Sequence, residues 1–203
     1  YNIYRNDVLI SSTDNLSFTD FSVESASSYV YTVAAQDQAG NVSGLSEGVV
    51  VTLSEPLLAV RVSSGADDAE EFEDGGVDRN GSDLELVEDG NRGAQVVGLR
   101  FQGVSLPAGA EVVRAWIEFG TDETSSGPVD LTIQGLAEDS PAQFGTEDFA
   151  ISSRPTTSSS VAWSGLPDWD VVGERHKTTD VSVIVQELID RAGWSAGNSM
   201  GFV

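Results

Sequence analysis

Few side chains in this sequence are equipped for chemistry. Cysteine is absent and His176 is the sole histidine, so a thiol nucleophile and a histidine-rich zinc site are out of reach. A serine–histidine–carboxylate triad would have to run through His176, which sits in the charged run 173–177 and reads as an exposed loop histidine. No glycine-rich phosphate loop follows a strand. With 33 acids in the chain, the nearness of any two says nothing about a glycosidase pair. The chain reads as non-catalytic.

What remains is binding. Hard cations take oxygen ligands, several of them carboxylates. The densest oxygen clusters hold Asp67, Asp68 and Glu70, then Asp78, Asn80 and Asp83. Asp78, Asn80 and Ser82 repeat the first, third and fifth positions of a calcium loop, with Asp89 at the twelfth. The sixth position, where the turn needs glycine, is Asp83, and residues 84–87 read as strand. Two readings stay open for 64–90: structural Ca2+, or a solvated acidic loop.

Sugars are held by aromatic plates that stack on the apolar ring face, helped by polar groups that orient hydroxyls. The alternation over 112–119 sends Val113, Ala115, Ile117 and Phe119 inward and leaves Arg114, Trp116 and Glu118 on the polar face. Arg100 and Gln134 take the polar faces of their own strands. Trp116, Arg100, Arg114, Gln134 and Trp169 form the candidate carbohydrate set. Arginine is scarce, so two on one face point to an anionic polysaccharide. The alternative for Trp116 is cover by a loop or by the preceding domain. Trp163 is expected to close a strand in the core, and Trp194 to pack on the helix.

These residues need a scaffold, and strands dominate it. In residues 1–53 the best strand is 29–35, with Tyr29, Tyr31, Val33 and Ala35 on one face. Residues 1–5 and 48–53 read as further strands, and 37–41 as a turn. The run 1–6, then 17–20, 28–35 and 37–43, resembles the later part of a fibronectin type III domain. That resemblance makes Tyr29 the tyrosine-corner residue, its hydroxyl tied to nearby backbone. It also implies that the first two strands are missing, so the domain is incomplete and its inner face partly uncovered.

After a linker at 54–56, residues 57–203 form a second unit. Strands are expected at 57–62, 83–87, 96–101, 112–119 and 131–134, with another starting at 201. Residues 179–192 read as the one helix, with Val181, Ile184, Val185, Leu188 and Ile189 on a single stripe. Thr179 or Asp180 caps its start and Gly193 its end. The order 95–101, 106–110, 112–119, 161–163, 180–190 and 197–198 is similar to the jelly-roll domains of the disaggregatase-related (DNRLRE) group. Those domains accompany polysaccharide-degrading enzymes and surface proteins, and some bind carbohydrate. The resemblance implies a jelly-roll-like sandwich, here truncated at its C-terminus.

The expected architecture is all-β: two β-sandwiches, one truncated fibronectin type III and one jelly-roll-like with a short helix. The net charge of −23 repels nucleic acid and anionic membranes. It fits a high-salt habitat or bound divalent cations. No apolar run approaches ~18 residues, so no membrane insertion is expected. The chain starts at Tyr1, without Met or signal peptide, and reads as a piece of a longer exported protein. By resemblance it is secreted or on the cell surface, with catalytic or anchoring domains elsewhere in the parent chain. Its expected partner is extracellular polysaccharide. The alternative is a calcium-stiffened structural or adhesive spacer.

Overall fold

The structure, a computed structural model, describes residues 1–20, 22–24, 27–53, 58–87, 92–127 and 129–203. The expected linker 54–56, together with Leu57 and Asp89, lies outside the described residues. The chain divides into two units, Tyr1–Ala59 and Val60–Val203.

The first unit carries β1 (Asn2–Arg5), β2 (Val8–Ser12), β3 (Ser28–Ala34) and β4 (Val49–Thr52). They form one antiparallel sheet in the order β2-β1-β3-β4. Asn6 and Asp7 join β1 to β2 with φ of 50° and 65°. Two such residues in the left-handed region make the tight hairpin turn whose twist matches its strands. Asp20 anchors the sheet, accepting from Arg5 Nη1 at 2.9 Å and from the Tyr31 hydroxyl at 2.7 Å. The Tyr29 hydroxyl accepts from the Glu24 N–H at 3.0 Å, tying strand to upstream backbone. One sheet face stays open as a groove of about 630 Å3, lined by Ile3, Phe18, Tyr29, Tyr31, Val33 and Val51 among others.

The second unit carries β5 (Asp68–Glu71), β6 (Val77–Asp78), β7 (Val96–Phe101), β8 (Glu118–Gly120), β9 (Asp130–Leu136), β10 (Thr156–Ser164), β11 (Arg175–Lys177), α1 (Ser182–Ile189) and β12 (Met200–Phe202). Six strands form one sheet, β10-β9-β12-β7-β5-β6, and β8 pairs with β11 in a second. The ladder fixes which residues share a face. Ala69 opposes Gly98, and Gly201 opposes Arg100. On this face Phe144 and Ile151, from the segment after β9, close a core with Ala69 and Leu136. Glycine is required at 98: a Cβ there would stand 2.6 Å from the Phe144 ring. The other face holds Leu99 and Phe202, with Ile133 and Trp163. It receives α1, and a Cβ at Gly135 would meet Ile184 and Leu188 at 2.8 Å. It also receives the second sheet, because Trp163 stacks on Phe119 at 5.6 Å and 17°. All-β layering with one short helix is the architecture.

The apolar helical stripe is buried as its spacing predicts, with Val181, Ile184, Val185, Leu188 and Ile189 all in the core. The helix is shorter than expected, and Val181 rather than Thr179 or Asp180 holds the N-cap position. Asp180 still serves the helix start, its Oδ1 accepting from Ser182 N at 2.9 Å. Trp163 and Trp194 are both buried, and Trp194 donates to Leu106 O at 3.0 Å.

Two strand expectations fail, and a third, 112–119, holds only at its end, in β8. Residues 58–62 and 83–87 form no ladder. From 112 to 117 the backbone is bound largely by side chains: Val112 N to Gln186, Ala115 N to Asp180, Ile117 N to Thr178. Side-chain acceptors replace a regular ladder there, so the inward alternation holds at Ile117 but Val113 is 83% exposed.

Glu187 fastens the helix to β10. Its two carboxylate oxygens accept from Ser158 N and Ser159 N, both at 2.8 Å. Those bonds from Ser159 and Ser158 pull its pKa down to about 2 from 4.5. A lowered folded pKa adds stability that is full above 4.5 and lost as pH falls toward 2. Glu187→Gln should cost about 1 kcal/mol or less at pH 7, because solvent screens these largely exposed bonds. It should also flatten the acid limb, as read by urea denaturation across that range.

Candidate functional site

The β8–β11 pair sorts its side chains by face. His176 opposes Phe119 and points inward with it, while Lys177 opposes Glu118 on the outer side. Trp116, two residues before Glu118, shares that outer face. The Lys177 ammonium lies 4.5 Å from the Trp116 ring centroid. Arg175 Nη1 donates to Glu118 Oε1 at 2.6 Å. Trp116 therefore lies on the outer face, joined by Arg175 and Lys177. Those two escaped sequence reasoning because 173–177 reads as a charged loop. The usable signal was the alternation of Arg175 and Lys177 around His176.

His176 is not an exposed loop residue. Its side chain keeps 14% of its exposure and its ring stacks on Trp169 at 4.3 Å and 6°. The ladder to β8 explains the correction, since inward alternation from Phe119 carries the imidazole into the layer. Trp169 also meets Trp163 and Phe119, at 6.3 Å and 6.5 Å. It is thus bound into the aromatic cluster behind the Trp116 face.

Arg100 and Gln134 lie on the six-stranded sheet, on the face that Phe144 covers in part. Arg100 pairs with Asp67 and donates through Nε to Pro141 O at 2.7 Å. Gln134 Nε2 donates to Thr157 O at 3.0 Å. Trp116, on the outer face of β8 and β11, Trp169, in the cluster behind it, and Arg100 with Gln134, on the six-stranded sheet, thus fall in three separate places.

The acidic stretch 67–71 is neither a loop nor a solvated surface. Asp67 is fully buried, one oxygen pairing with Arg100 and the other accepting from Gln102 Nε2. Glu71, also buried, accepts from Ile151 N at 2.7 Å and Ser152 N at 2.9 Å. Burial pushes the Asp68 carboxyl above its ordinary range. Glu70, 5% exposed, accepts from Glu85 N at 2.6 Å and opposes Asp78 across the ladder. Asp78 accepts from Asn80 N at 2.8 Å, and Asp83 from the Ser82 hydroxyl at 2.8 Å. Among the described residues no three His, Cys, Asp or Glu side chains gather as ligands to one metal ion.

Comparison with known proteins gives short matches. Exoglucanase B of Cellulomonas fimi is 43% identical over 56 residues, which is 28% of this chain and 5% of that protein. Alpha-amylase of Niallia circulans is 42% identical over 52 residues, 26% of this chain and 4% of that protein. The chain therefore spans only a small segment of each enzyme. No protein-family model matches the chain, and no solved structure does. Among the described residues no helix is long and apolar enough to cross a membrane.

Burial, then the neighbouring Glu85 and Asp78, pushes the Glu70 carboxyl up to about 7 from 4.5. The folded chain then holds a proton that the unfolded chain has released, so stability falls as pH climbs between those values. The loss is on the order of 3 kcal/mol. Glu70→Gln should remove this decline, leaving stability at pH 5 little changed and raising it at pH 8 in denaturant titrations.

Proposed function

We propose that this chain is a non-catalytic accessory region of a secreted or cell-surface protein, and that it holds extracellular polysaccharide on the outer face of β8 and β11. The supporting observation is charge sorting. In a chain of net charge −23, that face sets Arg175 and Lys177, two of its ten basic residues, beside Trp116. Arg175 is held only by an exposed pair with Glu118, whereas Arg5, Arg100 and Arg154 sit in part-buried ion pairs and Arg79 donates to Phe144 O. The matches to segments of an exoglucanase and an amylase support the same reading. So do the resemblances to fibronectin type III and DNRLRE domains, including the Tyr29 hydroxyl bond to backbone.

Binding on this face follows from its chemistry. A sugar ring offers C–H groups to the indole and displaces Lys177 from it. An exposed cation–π contact is worth only about 0.5–1 kcal/mol, so the exchange is cheap. The freed ammonium, and the Arg175 guanidinium on exchanging Glu118, then pair with carboxylates or sulfates along an anionic chain. Catalysis belongs to other domains of the parent protein.

Crowding of Glu70 against Glu85 and Asp78 favours a second reading, a spacer of a surface protein stiffened by Ca2+ bound near Asp78, Asn80 and Asp83 after local rearrangement. The two readings part on measurement. Under the first, Trp116→Ala should weaken retention on insoluble or gelled polysaccharides at least about tenfold. Unchanged retention on every polymer that holds the parent would remove this face. Under the second, calcium over chelator should raise Tm by ~5 °C or more with no glycan retained. A flat Tm would end the calcium reading.

A further inference from the structure

Among the described residues three non-glycines have positive φ: Asn6, Asp7 and Phe149. Asparagine and aspartate tolerate that region, whereas a bulky aromatic is strained in it. Phe149, at φ 62°, is the outlier. Its N–H donates to Gly75 O at 2.8 Å, and its ring lies on Gly75, where a Cβ would come within 2.6 Å of ring atoms. A ring placed there for packing alone would be expected to be buried, yet Phe149 is 48% exposed. Glycine or asparagine would hold the same turn without strain. The residue present supplies instead an aromatic plate with its back against bare backbone and its other side toward water.

We infer that Phe149 is a sugar-stacking plate of its own, selective for neutral glycan chains. The flanking residues decide the ligand. Glu147 and Asp148 precede the ring, and Glu73 and Asp74 precede its glycine support; all four are exposed. Carboxylates beside an aromatic plate accept hydrogen bonds from sugar hydroxyls and repel uronate or sulfate groups. The selectivity is opposite to that of the cationic Trp116 face, and it does not depend on that reading.

The test is an amide NMR titration of the full 203-residue chain with cellohexaose, maltohexaose and xylohexaose, each to about 10 mM, and with oligogalacturonate as the anionic probe. At least one neutral hexaose should move the Gly75 and Gly76 signals, while oligogalacturonate leaves them in place. Phe149→Ala should weaken the neutral sugar at least about tenfold. Phe149→Trp, which keeps a plate, and Trp116→Ala should each retain it. Gly75 and Gly76 signals unmoved by all three neutral hexaoses, or Phe149→Ala binding as tightly as the parent, would overturn the inference. The Trp116 reading fails separately, if Trp116→Ala leaves polysaccharide retention unchanged.

Discussion

A carboxylate withdrawn from water must find donors, and two that flank Ala69 of β5 do so on one face. Asp67 precedes the strand and Glu71 ends it, with Ala69 between them. Arg100 and Gln102 close on Asp67 from the β7 side, and Arg100 reaches on to Pro141 O. The N–H groups of Ile151 and Ser152 close on Glu71. Breaking a buried pair by removing one partner costs ~3–5 kcal/mol, because the other charge is left without compensation. This polar line fixes β5 against β7 and sets the height of the segment that carries Phe144 and Ile151. The ring of Phe144 can then settle on Gly98. The opposite face of the same sheet is thereby free to receive α1 and the β8–β11 pair.

The outer face of that pair owes its character to what lies beneath. Phe119 and His176 turn inward against Trp163 and Trp169. Strict alternation then leaves Trp116, Glu118, Arg175 and Lys177 outside. The cationic face is thus the reverse side of an aromatic core, held in place by packing rather than by its own weak surface contacts. A surface ion pair such as Arg175–Glu118 contributes little to stability, so these side chains can exchange partners without loosening the fold.

Much of the framework was legible in sequence where one period ran cleanly. The helical stripe, the strand at 96–101 and the inward Trp163 were all visible as spacing. Legibility failed where charge stood in for apolar pattern. Asp67, Glu70 and Glu71 look like solvent-facing acids, and nothing local says that Arg100, the N–H of 85 and the N–H groups of 151 and 152 lie over them. Likewise 173–177 carries four charges or titrating groups in a row, which hid a three-residue strand. For the candidate site, alternation set Trp116 on the face opposite Ile117 and Phe119, where Lys177 meets it. It could not say that Arg100 and Gln134, on other strands, belonged to a different sheet. Face membership within a strand is local information; which strand lies beside which is not.

The position of β12 has a kinetic consequence. This strand, after every other element of the unit, sits in the middle of the large sheet, bonded to β7 on one side and β9 on the other. Met200 meets Phe101 across roughly a hundred positions of chain. Until that segment arrives, β5–β7 and β9–β10 are two unjoined half-sheets, each with an open edge. Loop-closure entropy must be met before the central ladder returns any stabilisation, and such non-local pairing makes a chain slow to fold.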